Sequence, residues 1–240
     1  IAVKSLGLDE LYTFDPKKKI IEYILEDDKK KQLVDMSLKG FIEETASESP
    51  APGGGSVSAA MGAMGVALGT MVANLSSHKA GWDDRWEEFS EWAEKGKAYQ
   101  DQLVKLIDED TNAFNRIMDA FGLPKSTDEE KAIRKQAIHE ATLYAIEVPF
   151  KVMQLCYQCM EVMKAMAEIG NPNSVSDAGV GVLAARSGVM GAFLNVKINA
   201  AGLEDKTLVS DYIKGGEELV EKANLLEKEI LDMVNGKIVI

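Results

Sequence analysis

The segment LIDEDTNAF sets two carboxylates, Asp108 and Asp110, two residues apart among apolar neighbours. On a helix that spacing turns them to different sides. Asp110 falls on the face of Leu106, Ile107, Phe114 and Ile117 and is expected to lean inward, with Asp108 more exposed. A carboxylate facing a core loses hydration, and its pKa rises unless it is paired. It then suits proton transfer. An exposed acidic helix face is the equal alternative on pattern alone.

A second set lies in SDAGVGVLAARSGVMGAFLNVKINAAG. Every third or fourth residue gives Asp177, Gly181, Ala184, Gly188, Gly191 or Ala192, Asn195 and Asn199, one face nearly bare of bulk with a carboxylate at one end and two amides at the other. Such a face suits close helix packing or the floor of a cleft for a flat ligand. Buried amides must be hydrogen-bonded, and two of them one turn apart can read a heterocycle's donors and acceptors. Arg186 beside this face is either an anion-binding group or half of a surface ion pair.

The third is PAPGGGS, with Gly53, Gly54, Gly55 and Ser56 leading into a charge-free run to Leu75. It is no phosphate-binding loop: the terminal Gly-Lys-Ser/Thr is missing and no strand precedes it. Flexible glycines entering a helix do present free N–H groups that attract anions. A turn with Ser56 as N-cap is the plainer reading. The run from Val57 to Leu75 passes a crude length test for a membrane span. Its Ala and Gly content and its lack of aromatic or basic anchors point instead to a central helix buried on all sides.

Other chemistries lack their residues. Cys156 and Cys159 have no second ligand pair, and His78 and His139 are isolated, so no metal site is expected. Thiols within a helical pattern read as packing residues of a reducing, cytoplasmic setting. With 27 Lys and Arg against 39 Asp and Glu, the net charge is −12, which disfavours nucleic acid and anionic membrane as partners. An enzyme built from these parts would work by acid–base help and positioning.

The elements that position these residues are helices. Abundant Ala, Met, Leu and Glu and the absence of alternating runs predict an all-α fold, a single multi-helix bundle-like domain with long antiparallel helices. Asp15 and Pro16 open a helix in the leading segment, followed by a charged linker. Expected next are an amphipathic helix from Leu33, a helix from Asp83 to Phe121, and one from a Thr127–Glu130 capping box to Ile169, kinked at Pro149. Ser176 or Asp177 is expected to cap another helix ending at Gly202, and Gly215-Gly216 to loosen the last one. The first residue is Ile1, so the chain is expected to begin within a longer or processed one.

The ordered set SPAPGGGSVSAAMGAMGVALGTMV, LIDEDTNAF, GLPKSTDEEK, NPNSVSD and GAFLNVKIN resembles the cyclodeaminase/cyclohydrolase family, and most nearly its formiminotetrahydrofolate cyclodeaminase domains from bifunctional formiminotransferase-cyclodeaminases. The resemblance divides the chain into a tail at 1–32, similar to the end of a formiminotransferase, and a cyclodeaminase domain at 33–240. It implies an ammonia-lyase that converts 5-formimino-tetrahydrofolate to 5,10-methenyl-tetrahydrofolate in histidine degradation. No cofactor beyond the tetrahydrofolate substrate is implied. Homodimers or higher oligomers are, with a fused or partner formiminotransferase and a folate ligand that can be polyglutamylated. By the same resemblance Asp110 (in D-x-x-A-F) and Asp177 (in S-D) are the catalytic pair, although one of them can instead fix the pterin ring. Lys125 holds the folate's glutamate carboxylates or assists charge development, Gly53, Gly54, Gly55 and Ser56 line the cleft, and Asn195 and Asn199 orient the ligand or neighbouring helices. Vertebrate members carry a Cys shortly before the S-D motif where this chain has Ser174, so a thiol mechanism there is not supported. Two other functions remain: methenyltetrahydrofolate cyclohydrolase, and a non-catalytic helical dimerisation module.

Overall fold

A computed structural model describes residues 32–238, so the helix start at Asp15–Pro16 and the charged linker lie outside the described residues. Six α-helices follow one another: α1 Leu38–Thr45, α2 Gly54–Ser77, α3 Trp86–Gly122, α4 Asp128–Ile169, α5 Val175–Ala200 and α6 Lys206–Lys237. Short 3₁₀ turns precede α1, α3 and α5, and there is no strand among the described residues.

Local chemistry accounts for most boundaries. Thr127 and Glu130 form the expected reciprocal capping box at the start of α4. Asp205 caps α6 by accepting from the N–H groups of Thr207 and Leu208. Helix α1 begins only at Leu38, capped by Ser37, because Leu33–Asp35 form a separate 3₁₀ turn. Helix α4 continues through Pro149 to Ile169, and Lys237 Nζ bonds the carbonyls of Ala167 and Glu168 near its end. Neither Ser176 nor Asp177 caps α5. Its N-cap is Ser174, and Asp177 lies within the first turn.

Successive long helices run antiparallel, as the pairing of residues shows. Gly62 of α2 faces Leu103 of α3, and Tyr99 of α3 bonds Glu161 of α4. Gly188 of α5 faces Cys156 of α4, and Gly216 of α6 faces Phe193 of α5. Helix α2 packs against α3, α4 and α5 together. The sulfur-rich face of α4, with Met153, Cys156, Met160 and Met163, fills the interior beside it.

The bare face of α5 is resolved as a packing face. A Cβ built on Gly65 would lie 2.6 Å from the Gly181 carbonyl, and one on Gly181 would lie 2.8 Å from the Gly65 carbonyl. Gly188 approaches the Ser58 carbonyl equally closely. From Gly181 to Gly188 backbone meets backbone, at Gly191 the Ser58 side chain closes the gap, and no cleft floor remains. Gly215 and Gly216 do not loosen α6 either. They admit the rings of Phe150 and Phe193, and the helix passes through them unbroken.

Burial on all sides is corrected for α2. Met64, Met71 and Leu75 are exposed, and Val180, Leu183, Met190, Leu194 and Ile198 continue an exposed apolar stripe along α5. Both helices are long and apolar enough to cross a membrane, yet two-thirds of the apolar window of α2 is buried within the bundle.

Replacing Gly65 with Ala should cost about 1–3 kcal/mol, because two backbones must separate to admit the methyl group. Gly236→Ala, with nothing within 4 Å of the new carbon, should be neutral or stabilising by up to about 1 kcal/mol. Urea unfolding of both variants checks the contrast.

Candidate functional site

Helix α2 starts without a capping side chain, since its N-cap is Gly53. The missing acceptor comes from α3. Asp110 Oδ2 accepts the backbone N–H of Ser56 at 2.8 Å and the Ser56 hydroxyl at 3.1 Å. The same hydroxyl bonds the Ile107 carbonyl at 2.9 Å, with Thr111 Oγ1 3.5 Å away. Ser56 is therefore no N-cap. It sits inside the first turn, fully buried, as the link between two helices.

Gly55 makes this approach possible, because a Cβ there would overlap the Asp110 carboxylate. On the next strip of the same turn, a Cβ on Gly54 would stand 3.1 Å from Asn195 Nδ2 and 3.3 Å from its Oδ1. Asn195 also donates to the Gly191 carbonyl at 3.0 Å. Gly53, Gly54, Gly55, Ser56, Asp110 and Asn195 thus converge on one helix start. Asn199, one turn further along α5, donates to the Ala145 carbonyl of α4 at 2.6 Å.

Burial raises the pKa of Asp110, and the two hydrogen bonds from Ser56 only partly offset it. The inward lean follows expectation, although Phe114 on its flank is exposed. Asp108 is half-buried like Asp110 and accepts the N–H of Leu33, so it fastens the segment before α1. Glu109 points away, towards the hydroxyl of Tyr144 on α4 and the guanidinium of Arg116. Burial and then the Glu109 contact push the Tyr144 hydroxyl up to about 12.

Asp177 is not brought to this place. It stands at the opposite end of α5, 18 residues and about 27 Å of helix from Asn195. Lys125 lies elsewhere too, on a cavity of about 300 Å³ between the start of α4 and the end of α5, shared with Lys131, Arg134, Lys135 and His139. The last four were missed in the sequence. Their signal was there, since KAIRKQAIH repeats cationic groups at one-turn spacing in an acidic chain.

The remaining candidates have structural explanations. Arg186 pairs with Glu227 at 3.3 Å. The Cys156 thiol is fully buried, which pushes it up to about 12, and Cys159 is buried beside it and shifted upward as well. Both pack the core and are poor nucleophiles. Ser174, where a thiol would have stood, is buried at the α5 N-cap. Among the described residues, no three His, Cys, Asp or Glu side chains are placed to hold a metal ion.

Residues 37–218 match the protein family described as formiminotransferase-cyclodeaminase. A methenyltetrahydrofolate cyclohydrolase of Methylorubrum extorquens is 39% identical over 84% of this chain and 97% of its own length. The formimidoyltransferase-cyclodeaminase of Mus musculus is 38% identical over 85% of this chain, which spans only 38% of that protein. In three dimensions, the formiminotetrahydrofolate cyclodeaminase of Thermotoga maritima superposes with a TM-score of 0.73 at 28% identity, over 84% of this chain and 96% of that one.

The raised pKa fixes a pH signature. The folded state keeps the Asp110 proton to a higher pH than the unfolded chain does. Stability should therefore be greatest below the ordinary aspartate pKa, decline as pH rises through the window up to the raised value, and level off above it. Asp110→Asn should remove that decline. Asp110→Ala should cost about 1–3 kcal/mol at all pH values by orphaning the buried Ser56 N–H, since the hydroxyl keeps the Ile107 carbonyl. Chemical denaturation between pH 4 and 8 separates the two.

Proposed function

Because the chain belongs to the formiminotransferase-cyclodeaminase family of folate one-carbon metabolism, we propose that it is a formimidoyltetrahydrofolate cyclodeaminase, with Asp110 carrying the proton. The observation that carries this reading is the half-buried Asp110 carboxylate, raised in pKa and fixed against the glycine start of α2.

The reaction needs one proton moved and no oxidant. N10 of the folate attacks the formimino carbon, forming the C–N10 bond and a tetrahedral centre. The formimino group enters as its protonated amidinium, so the attack leaves an NH2 group on the tetrahedral centre; the proton on N10 passes to Asp110 and from there to that nitrogen. The C–N bond to that nitrogen then breaks, ammonia leaves, and the N5 lone pair closes the methenyl bridge. A carboxylate with a raised pKa suits both halves of this transfer. Asn195 and the glycine turn orient the pterin, Asn199 holds α5 against α4, and Lys125 holds the glutamate carboxylates. No cofactor beyond the folate takes part.

The exposed stripe of α2 and α5 is assigned to a homodimer. The small residues of these helices are already used within the chain, so Met64, Met71, Leu183, Met190, Leu194 and Ile198 supply the contact. Two copies of α5 pairing antiparallel about the middle of the stripe set the Asp177 end of one copy against the Asn195–Asn199 end of the other. Asp110 and Asp177 then share a site across the two-fold axis.

Incubation with 5-formimino-tetrahydrofolate should release ammonia and the methenyl product in equal amounts. Asp110→Asn should lower kcat by about 10²-fold or more with KM little changed. A second reading, methenyltetrahydrofolate cyclohydrolase, draws support from the relative matched over nearly its whole length. It predicts loss of the methenyl chromophore and no ammonia from the formimino compound.

Dimerisation has its own checks. Leu194→Glu should shift the protein to a monomer in light scattering. Mixing inactive Asp110→Asn and Asp177→Asn chains and allowing exchange should restore about a quarter of the wild-type sites, since a statistical half of the dimers are mixed and each has one intact site. No recovery, despite proven exchange, would place both aspartates in one chain or remove Asp177 from the site.

A further inference from the structure

The buried hydroxyl of Ser56 has one hydrogen and two acceptors within reach. The Ile107 carbonyl stands at 2.9 Å and Asp110 Oδ2 at 3.1 Å, so the hydroxyl serves one of them at a time. We propose that Ser56 is a positioning residue whose hydroxyl follows the charge of Asp110. It donates to Oδ2 when the carboxylate is ionised and turns to the Ile107 carbonyl when the carboxyl is neutral. The transferred proton enters and leaves through the other oxygen, Oδ1. The proposed function is needed only to name where that proton comes from and goes.

The two carboxylate oxygens are not equivalent. Oδ2 accepts the Ser56 N–H at 2.8 Å as well as the hydroxyl, whereas Oδ1 accepts no hydrogen bond among the described residues. Gly55 keeps that second oxygen clear, since a Cβ there would fall closer to Oδ1 than to Oδ2. A proton on Oδ2 would meet the Ser56 N–H donor against donor. On Oδ1 it disturbs no existing bond, and Oδ2 remains an acceptor for the N–H in both states.

Bond strength decides where the hydroxyl points. A hydrogen bond to an ionised carboxylate is about twice as strong as one between neutral groups, so the ionised Asp110 outcompetes the nearer carbonyl. Once Oδ1 is protonated that advantage is gone, and the Ile107 carbonyl takes the hydroxyl back. Only a rotation about the Cβ–Oγ bond separates the two states, and no proton of Ser56 is transferred. Ile107 lies inside α3, where the helix ladder satisfies its carbonyl when the hydroxyl leaves. Thr111 Oγ1, at 3.5 Å, is too distant to compete.

The charged neighbours are engaged elsewhere. Asp108 accepts from Leu33, and Glu109 faces Arg116 and Tyr144 of α4. The glycine turn of α2 and Asn195 of α5 bring no titratable group to this place. The hydroxyl is therefore the group placed to answer a change in the Asp110 charge.

Carbon-13 NMR of ligand-free protein labelled at isoleucine carbonyls and aspartate carboxyls follows both acceptors, with Asp110→Asn assigning the Asp110 resonance. The Ile107 carbonyl should titrate in step with Asp110 in wild type and several-fold less in Ser56→Ala. Ser56→Cys, a weaker donor of similar size, should fall between them. Asp110 should bind its proton roughly tenfold more tightly in Ser56→Ala. An Ile107 response equal in wild type and Ser56→Ala, or proton binding unchanged or weakened in both variants, overturns the inference. These readings need no turnover, so failure of the formimino-folate assay does not decide them. With turnover, the acidic limb of the kcat profile should move to higher pH in Ser56→Ala, kcat on that limb falling roughly tenfold with KM little changed. A lowered melting temperature with an unmoved limb marks a merely structural serine and overturns the inference as well.

Discussion

The bond between the Asp110 carboxylate and the first turn of α2 governs how this molecule is put together. A helix that opens on three glycines has no acceptor of its own for its free N–H groups, and one supplied by a distant part of the chain must come very close. Asp110 comes that close only because Gly55 has no side chain. The contact joins α2 to α3 across 54 residues of sequence and fixes the depth at which the carboxylate sits. Desolvation and donation by Ser56 act on it in opposite directions. Their balance leaves a carboxyl raised above the ordinary aspartate range and held in one orientation, as proton transfer requires.

The remaining glycines apply the same principle over a longer distance. Gly65 on α2 and Gly181 and Gly188 on α5 bring backbones close enough to leave no internal groove along most of the α2–α5 contact, while Gly62 and Gly69 admit the Cys156 and Met163 side chains of α4. The polar end of that contact, at Gly54 and Asn195, is where the seam reaches the helix start. Met64 and Met71 of α2 and Leu183, Leu194 and Ile198 of α5 consequently face outward. The tight internal seam and the exposed stripe are two consequences of one arrangement.

Much of this was legible in the chain. The periodicity of α3 and α4, the Thr127–Glu130 box and the inward side of Asp110 were all readable, because they depend on neighbours one turn away. What depended on partners far along the chain was not. Nothing local distinguishes Ser56 as a cap from Ser56 as a donor to Asp110, or Gly215-Gly216 as a weak point from a seat for two phenylalanine rings. A row of small residues is compatible with a cleft and with a seam, and only the opposing helix decides. Asp177 and Asp110 read as partners, yet α5 runs antiparallel to α2 and holds them at opposite ends of one chain. The cationic cavity was legible in KAIRKQAIH but was masked by the acidity of the chain as a whole.

The central claim concerns the state of one carboxylate, and infrared difference titration of wild-type protein against Asp110→Asn reads it directly. The account predicts a carboxyl band that titrates above the ordinary aspartate range and moves higher still in Ser56→Ala, where the side-chain donor is lost. A band that titrates at or below the ordinary value, or one indifferent to Ser56, would contradict it.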